Sequence, residues 1–343
     1  MSNAPRPSVF MCCPSLRGLS DRIEKAAYGF RDWLIATGVD APLLTRSSKC
    51  PLYMARSLMA DDFLRWSHAR CGGGSDNDVY FSFDDDTEFR LEDAQAVVGT
   101  VLEGVSDFSG GSYAHREINP RALRAACKDD SKSWEECLED GASAYCSHLP
   151  LYAYADKHID GFVYREHQFV TSDWVGGGFF AMSRRAIEAL LSAYPGMMLF
   201  DNAIDANGIC QSDDIVIGKR FKAIGGQSWL DVSSRLVHWG NFGYRSALDR
   251  HLQEQGYTFT NFASAKPGVL NTAVHPDAVR NAKHPGIKFR ALRDKAGLSQ
   301  EQLAELMSVP PSYIARVEAH DVELTAGQAE SWLDWCRRAT PTQ

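Results

Sequence analysis

An α/β domain on a mostly parallel sheet, followed by a small all-helical domain, is the fold class this sequence predicts. Three observations carry that expectation. Short apolar runs alternate with stretches of helical spacing as far as His238. Residues 262–286 are rich in Pro, Gly, Ala and Asn and show no clear period, which suits a linker. Beyond the linker only helical spacing remains. The expected organisation is therefore a first domain over 1–261, a linker over 262–286 and a second domain over 287–343. A chain of 343 residues suits two domains.

The elements follow in order. Ser8 to Cys13 is an apolar run ended by Pro14, a buried first strand. Residues 20–37 carry Ile23, Ala26, Ala27, Phe30, Trp33 and Leu34 at helical spacing, with Gly38 as the stop. Val39 to Thr45 is the next strand, and residues 51–66 the next helix. Asp78 to Phe83 is a strand that runs into three carboxylates. Residues 121–146 read as one helix with Trp134, Cys137 and Leu138 on one side. Residues 147–170 are aromatic and mixed. Trp174 to Met182 is a glycine loop entering a strand, and Ser183 caps a helix running to Ala193. Residues 213–224 are helical, and Ser228–Asp231 and Ser234–His238 are short strands.

Composition excludes some function classes. An apolar share of 44% and a charged share of 23% describe an ordinary soluble globular protein. Lys+Arg 36 against Asp+Glu 44 gives a net charge of -8, so nucleic-acid contact requires a local patch. The nine cysteines fall in no zinc spacing, and the expected state is buried free thiols in a reducing compartment. The start of the chain lacks the apolar core of a signal peptide, and no apolar run is long enough to span a bilayer. The expectation is a cytoplasmic protein that engages no membrane; its oligomeric state is not legible.

The chemistry concentrates at Phe81-Ser-Phe-Asp84-Asp85-Asp86, an apolar strand ending in carboxylates. In open α/β sheets ligands bind at the C-terminal ends of strands. Clustered carboxylates repel one another unless a cation or proton compensates. Mg2+ and Mn2+ prefer oxygen ligands and bridge diphosphates with few protein ligands. The other reading is a solvated acidic turn capping a helix at Glu92. Asp213-Asp214 is a second acidic pair, set before a helix, and His238 leaves a strand beside Trp239-Gly240.

The order and spacing of this set resemble the GT-A class of glycosyltransferases, over residues 8–245 or so. The resemblance implies a Rossmann-like catalytic domain. Its DxD motif falls on Asp84 and Asp86, its distal metal-binding histidine on His238, and its acidic pair on Asp213-Asp214. Asp86 and His238 would hold Mn2+ or Mg2+, while Asp84 would share the metal or orient the ribose. Pro14, Arg56, Asp84 and Asp85 fall where that class holds a nucleotide-sugar, with a UDP-sugar the expected donor. Trp174, Gly176, Gly177 and Gly178 fall on its acceptor loop. Asp214 is the base implied by inverting members, with Asp213 the fallback; retaining chemistry stays open. Two departures stand out: the acidic pair is Asp-Asp where Glu-Asp is commoner, and Ser57 follows Arg56 where related sequences often place Asn.

The tail has its own pattern. Ile287, Phe289, Leu292 and Arg293 lie on a first helix ending at Gly297. Ser299 caps a second helix, Pro311 opens a third, and Leu324 to Cys336 closes the domain. This closely resembles the Cro/repressor type of helix-turn-helix domain, through Leu298-Ser-Gln-Glu-Gln-Leu-Ala and Tyr313-Ile-Ala-Arg-Val-Glu. The resemblance implies that Gln300 touches phosphate and that Ser312, Tyr313 and Arg316 face DNA. Glu318 would pair with Arg293. Ser308 replaces the usual turn glycine, Pro311 takes a position where a polar base reader is common, and the tail is about balanced in charge. All three point to weak binding with little sequence preference.

A sugar transferase tethered to a DNA-binding domain suggests a DNA acceptor, raised in local concentration by the tether. A hydroxymethylated pyrimidine is the base that offers a hydroxyl, as in the hypermodified genomes of bacteriophages, which would set the enzyme in the host cytoplasm. Two alternatives stand beside this reading. One is a glycan or protein glycosyltransferase whose tail binds a partner. The other is a non-enzymatic regulator that senses a nucleotide-sugar.

Overall fold

The computed structural model describes residues 6–15, 18–47, 50–70, 73–141, 145–149, 157–204, 209–240, 243–261, 287–288, 293, 298–307 and 323–324. The chain begins with β1 (Val9–Ser15), α1 (Asp21–Ala36), β2 (Leu43–Ser47), α2 (Leu52–Ala69) and β3 (Val79–Phe83). It continues through β4 (Thr87–Glu88), α3 (Leu91–Leu102), β5 (Phe108–Gly111), α4 (Pro120–Ala126) and α5 (Trp134–Asp140). Next come β6 (Ser147–His148), β7 (His158–Tyr164), β8 (His167–Ser172), β9 (Trp174–Val175), β10 (Phe179–Ser183) and α6 (Arg184–Ala193). The hairpin β11 (Ala203–Ile204) and β12 (Cys210–Gln211) leads into α7 (Asp213–Ala223) and β13 (Ser228–Asp231). β14 (Val237–Trp239), β15 (Gly243–Arg245), α8 (Leu248–Glu254) and β16 (Thr258–Asn261) follow.

The main sheet runs β16-β7-β8-β13-β5-β10-β3-β1-β2. Its N-terminal third is parallel, β1 pairing with both β2 and β3, and the pairs β5–β13 and β7–β16 are parallel as well. β10 enters antiparallel between β3 and β5, and the β7–β8 hairpin joins β13 antiparallel. The sheet is thus mixed, inside the α/β architecture the alternation predicts.

Both faces of the sheet are covered, which is why its central strands β3, β5 and β10 are buried at every position. Successive residues of β3 serve opposite faces. Tyr80 packs with Phe63, Phe180 and Phe200 on one side, and Phe81 with Phe30, Phe89 and Phe179 on the other. Each fully buried phenylalanine stabilises the fold by roughly 1.5–3 kcal/mol. α1 presents Ile23, Ala27, Phe30 and Leu34 to the second cluster, and Gly38 ends it at φ 80°. Such a sheet delivers the C-terminal end of β3, with its carboxylates, to one rim.

Several expectations are corrected. β1 passes through Pro14 to Ser15, because β3 pairs no further than Cys12 and only β2 needs the ladder beyond it. β2 begins at Leu43, four residues later than Val39. The helix expected over 121–146 is two short helices, each opened by its own N-cap, Asn119 and Ser133. Trp134 stands exposed at the start of α5, while Cys137 and Leu138 are buried. β5 and the β7–β8 hairpin carried no legible pattern. Of the described cysteines, Cys12, Cys13, Cys50, Cys137 and Cys146 are buried free thiols, but Cys127 and Cys210 are exposed.

In the tail, Ser299 caps the helix Gln300–Met307. Its hydroxyl accepts from Gln302 N–H at 3.1 Å, and Gln302 Oε1 accepts from Ser299 N–H at 2.8 Å. Ile287–Lys288 pairs with Glu323–Leu324 as a two-stranded ribbon, where the sequence pattern predicted helix starts. The linker 262–286 and residues Ser312, Tyr313, Arg316 and Glu318 lie outside the described residues. Among the described residues no helix is long and apolar enough to cross a membrane.

Candidate active site

The three carboxylates at the end of β3 divide into three environments. Asp84 turns inward. Both its oxygens accept from Arg56 Nη2 at 2.8 Å, and its N–H donates to the Gly178 carbonyl at 3.0 Å. Burial pushes its carboxyl up to about 6, against the pull of Arg56. Asp85 accepts from the Ser15 hydroxyl at 2.6 Å. Asp86 turns outward, towards β14.

Arg56, on α2, is buried beneath the rim and shared by two acids. Its Nη2 serves Asp84 and its Nη1 donates to Asp213 at 2.6 Å. Burial works against its charge, but the two carboxylates raise its pKa well above the ordinary value. Its Nε finds no partner. The guanidinium therefore locks the end of β3 to the start of α7, and Asp213 is buried with it. Asp214 is half-buried at the N-terminal turn of α7. Its Oδ2 accepts from Gly177 N–H at 3.2 Å, and its Oδ1 from Ile215 N–H at 2.9 Å and from the Ser212 hydroxyl.

The glycine loop lies between these groups. A Cβ at Gly177 would sit 2.6 Å from Arg56 Nη1, and one at Gly178 would sit 2.8 Å from the Tyr113 hydroxyl. Gly176 has no room either, because its Cβ would meet the Cys146 carbonyl at 2.2 Å. The loop is glycine because buried polar groups approach its backbone on every side. Tyr113 Oη accepts from Gly178 N–H at 2.7 Å, and its ring meets His238 edge-on at 5.2 Å. Trp174, half-buried on β9, packs over Gly218 of α7, where a Cβ would approach its own Cβ to 2.5 Å.

His238 reaches Asp86 because β14 pairs with β4, placing His238 opposite Thr87. Its Nδ1 donates to the Ala114 carbonyl at 2.9 Å, which leaves Nε2 as the lone-pair nitrogen. That nitrogen lies 3.6 Å from Asp86 Oδ1, outside hydrogen-bond reach. Asp86 Oδ1 is buried without a hydrogen-bond partner. Arg116 donates to Asp86 Oδ2 through Nη2 and to His238 Nε2 through Nε at 3.1 Å. Burial acts upward on Asp86, but the imidazole beside it and the Arg116 charge hold it below the ordinary carboxylate range. An orphaned carboxylate oxygen facing an imidazole lone pair fits a divalent cation.

A cleft of about 410 Å³ opens on this rim, lined by Pro14, Ser15, Arg46, Cys50 and Leu52 together with Asp84, Asp85, Asp86 and Arg116. The structure thus brings Pro14, Asp84, Asp85 and Asp86 to one cavity and His238 to its edge. It seals Arg56 behind the cavity. Asp213, Asp214 and the glycines join the same assembly through Arg56 and Gly177. Tyr113 and Arg116 escaped sequence reasoning, because β5 is a short Phe-Ser-Gly-Gly run whose strand character is hidden by its glycines. Once β5 is known, Ser112 to Arg116 is the segment leaving a strand at the carboxylate rim.

A second group of ligand-type residues lies elsewhere. Asp93, His167 and Asp231 are buried, with candidate ligand atoms all within 4.8 Å of one another. Asp231 accepts from His167 Nδ1 at 2.7 Å and from Ser233 N–H at 2.9 Å. Asp93 accepts from Arg90 through its N–H, Nε and Nη2, and from Arg235 N–H.

Residues 289–330 match the Helix-turn-helix family model. No curated protein matches the chain. Among solved structures, the chain is similar to GalNAc-T7, solved with UDP, GalNAc and Mn2+, at 10% identity and a TM-score of 0.32. That likeness covers 96% of this chain and 57% of the other, so this chain spans little over half the length of that neighbour. It is also similar to a glycosyltransferase involved in the glycosylation of the major capsid of PBCV-1, at 6% identity and a TM-score of 0.23. There the likeness covers 33% of this chain and 56% of the other.

Proposed function

We propose that the first domain is a divalent-metal-dependent glycosyltransferase that takes a nucleotide-sugar, a UDP-sugar, and that its acceptor is a hydroxymethylated pyrimidine in DNA. The observation that carries the transferase reading is the meeting of Asp86 with the His238 lone pair at the edge of the carboxylate-lined cleft. Asp86 and His238 would hold Mn2+ or Mg2+, which would supply positive charge to stabilise a departing diphosphate. Two protein ligands suffice, because such ions take much of their coordination from substrate phosphates.

The rest of the chemistry belongs to the chain's own residues. Asp84, with both oxygens engaged by Arg56, serves as a fixed wall of the cleft. Pro14 and Asp85 line the nucleotide side. Asp214 is the base that takes the proton of the acceptor hydroxyl. It is half-open and tied to the acceptor loop through Gly177, whereas Asp213 is committed to Arg56. The Helix-turn-helix match at 289–330 supports DNA as the acceptor, with Gln300, Ser312, Tyr313 and Arg316 at the DNA.

The test presents the full chain with labelled UDP-sugars, Mn2+, and duplexes with or without hydroxymethylated pyrimidines. Label is expected on the modified duplex and not on the plain one. Transfer to glycan or protein with none to any DNA removes the DNA acceptor. Absence of transfer and of donor hydrolysis across all acceptors removes the transferase.

A further inference from the structure

Arg116 is the one cation among the described residues that touches both Asp86 and His238. It leaves β5 five residues after Gly111, and its position is set by packing as well as charge. A Cβ at Gly240 would lie 2.9 Å from Arg116 Cδ, so the glycine after Trp239 gives the side chain its seat. From that seat Nη2 donates to Asp86 Oδ2 and Nε to His238 Nε2 at 3.1 Å. The side chain is half exposed and lines the cleft.

An imidazole nitrogen has one lone pair. While it accepts from Arg116 it cannot ligate a metal, and Asp86 Oδ2 is occupied by the same guanidinium. We infer that Arg116 is a built-in competitor for the cation. It covers the two ligands until a nucleoside diphosphate enters the cleft and offers the guanidinium a better, bidentate partner. The inference rests on the metal reading above and adds regulation to it. By linkage, metal and diphosphate each strengthen the other's binding, because the diphosphate removes what the metal must displace. Premature capture of the cation without donor is disfavoured for the same reason.

The test is direct binding, independent of turnover. Mn2+ is titrated into the full-length protein by electron paramagnetic resonance, first alone and then with saturating UDP. Arg116→Ala is expected to bind Mn2+ roughly 10-fold more tightly than the unsubstituted protein without UDP, since one competing ion pair is removed. Its gain in Mn2+ affinity on adding UDP should shrink. Gly240→Ala disturbs the seat while keeping the charge, and should move Mn2+ affinity in the same direction by less. Thermal melting of each variant checks that the fold is kept. If the unsubstituted protein binds Mn2+ and neither variant binds it more tightly, Arg116 does not compete and only this inference falls. If no form binds Mn2+ with or without UDP, the inference falls together with the metal reading.

Discussion

Two clusters of acids and a histidine sit around this sheet, and they differ in how far their hydrogen-bonding capacity is filled. Asp93, His167 and Asp231 converge within 4.8 Å and look, by residue type, like the better metal site. Yet Asp93 already accepts four N–H donors, and Asp231 is held by His167 and Ser233. Asp86 and His238 converge less tightly, but they leave one buried carboxylate oxygen without a partner, at the edge of a cleft. A cation adds little to a network whose valences are filled, and it must first break what is there. Proximity of ligand types is thus a weak criterion, and a buried carboxylate oxygen left without a partner beside a cleft is a stronger one. The sealed cluster is an anchor, joining α3, β8 and β13 beneath the loop that leads to β14.

The largest expected effect falls on the strut behind the open cluster. Arg56→Met leaves the buried Asp213 and the half-buried Asp84 with no counter-charge. The expected loss is about 3–5 kcal/mol of folding stability, read from the urea midpoint. A loss under about 1 kcal/mol would mean that the two acids find other partners and that the rim is not held by Arg56.

Next in size are Asp86→Ala and His238→Ala. Each is expected to lower turnover by roughly 100- to 1,000-fold, with weakened Mn2+ binding and a melting temperature close to that of the parent. Asp231→Asn makes the opposite prediction, because it weakens a buried ion pair without touching the cleft. The expected cost is about 1–3 kcal/mol of stability with Mn2+ affinity unchanged. Should Asp231→Asn abolish Mn2+ binding while Asp86→Ala preserves it, the assignment of the two clusters is reversed.

Sequence patterning made some of this legible and not the rest. Buried strands such as β3 and amphipathic helices such as α1 announce themselves, because burial of one face imposes a period on the residues. Asp84, Asp86 and His238 were legible as a set by type and order. What could not be read was the partition among them: that Asp84 is spent on Arg56, and that Asp213 shares the same guanidinium across 157 positions of chain. Such pairing depends on which side chains the mixed sheet brings together, and no local pattern encodes it. β5 was hidden for a related reason. Gly110 and Gly111 are there because Val175, Phe179 and Leu236 press on the strand, and glycine erases the β-branched signature that identifies strands. With β5 unseen, Tyr113 and Arg116 had no strand end to stand on.

The smallest effect, and the one that isolates the sealed cluster, is a pH dependence. Burial acts downward on His167, but its hydrogen bond with Asp231 and that carboxylate's charge raise its pKa above the ordinary histidine value. A group whose folded pKa lies above its unfolded value stabilises the fold fully below the unfolded value, about 6.5, and that contribution is lost as pH rises through the folded value. The urea midpoint of the unsubstituted protein should therefore drift downward above pH ~6.5. In His167→Gln, which keeps an N–H donor near Asp231 but cannot titrate, this part of the drift should vanish. Parallel slopes in the two proteins would mean that His167 is no more protonated in the folded chain than in the unfolded one. The anchor would then be a neutral hydrogen bond rather than a charged pair.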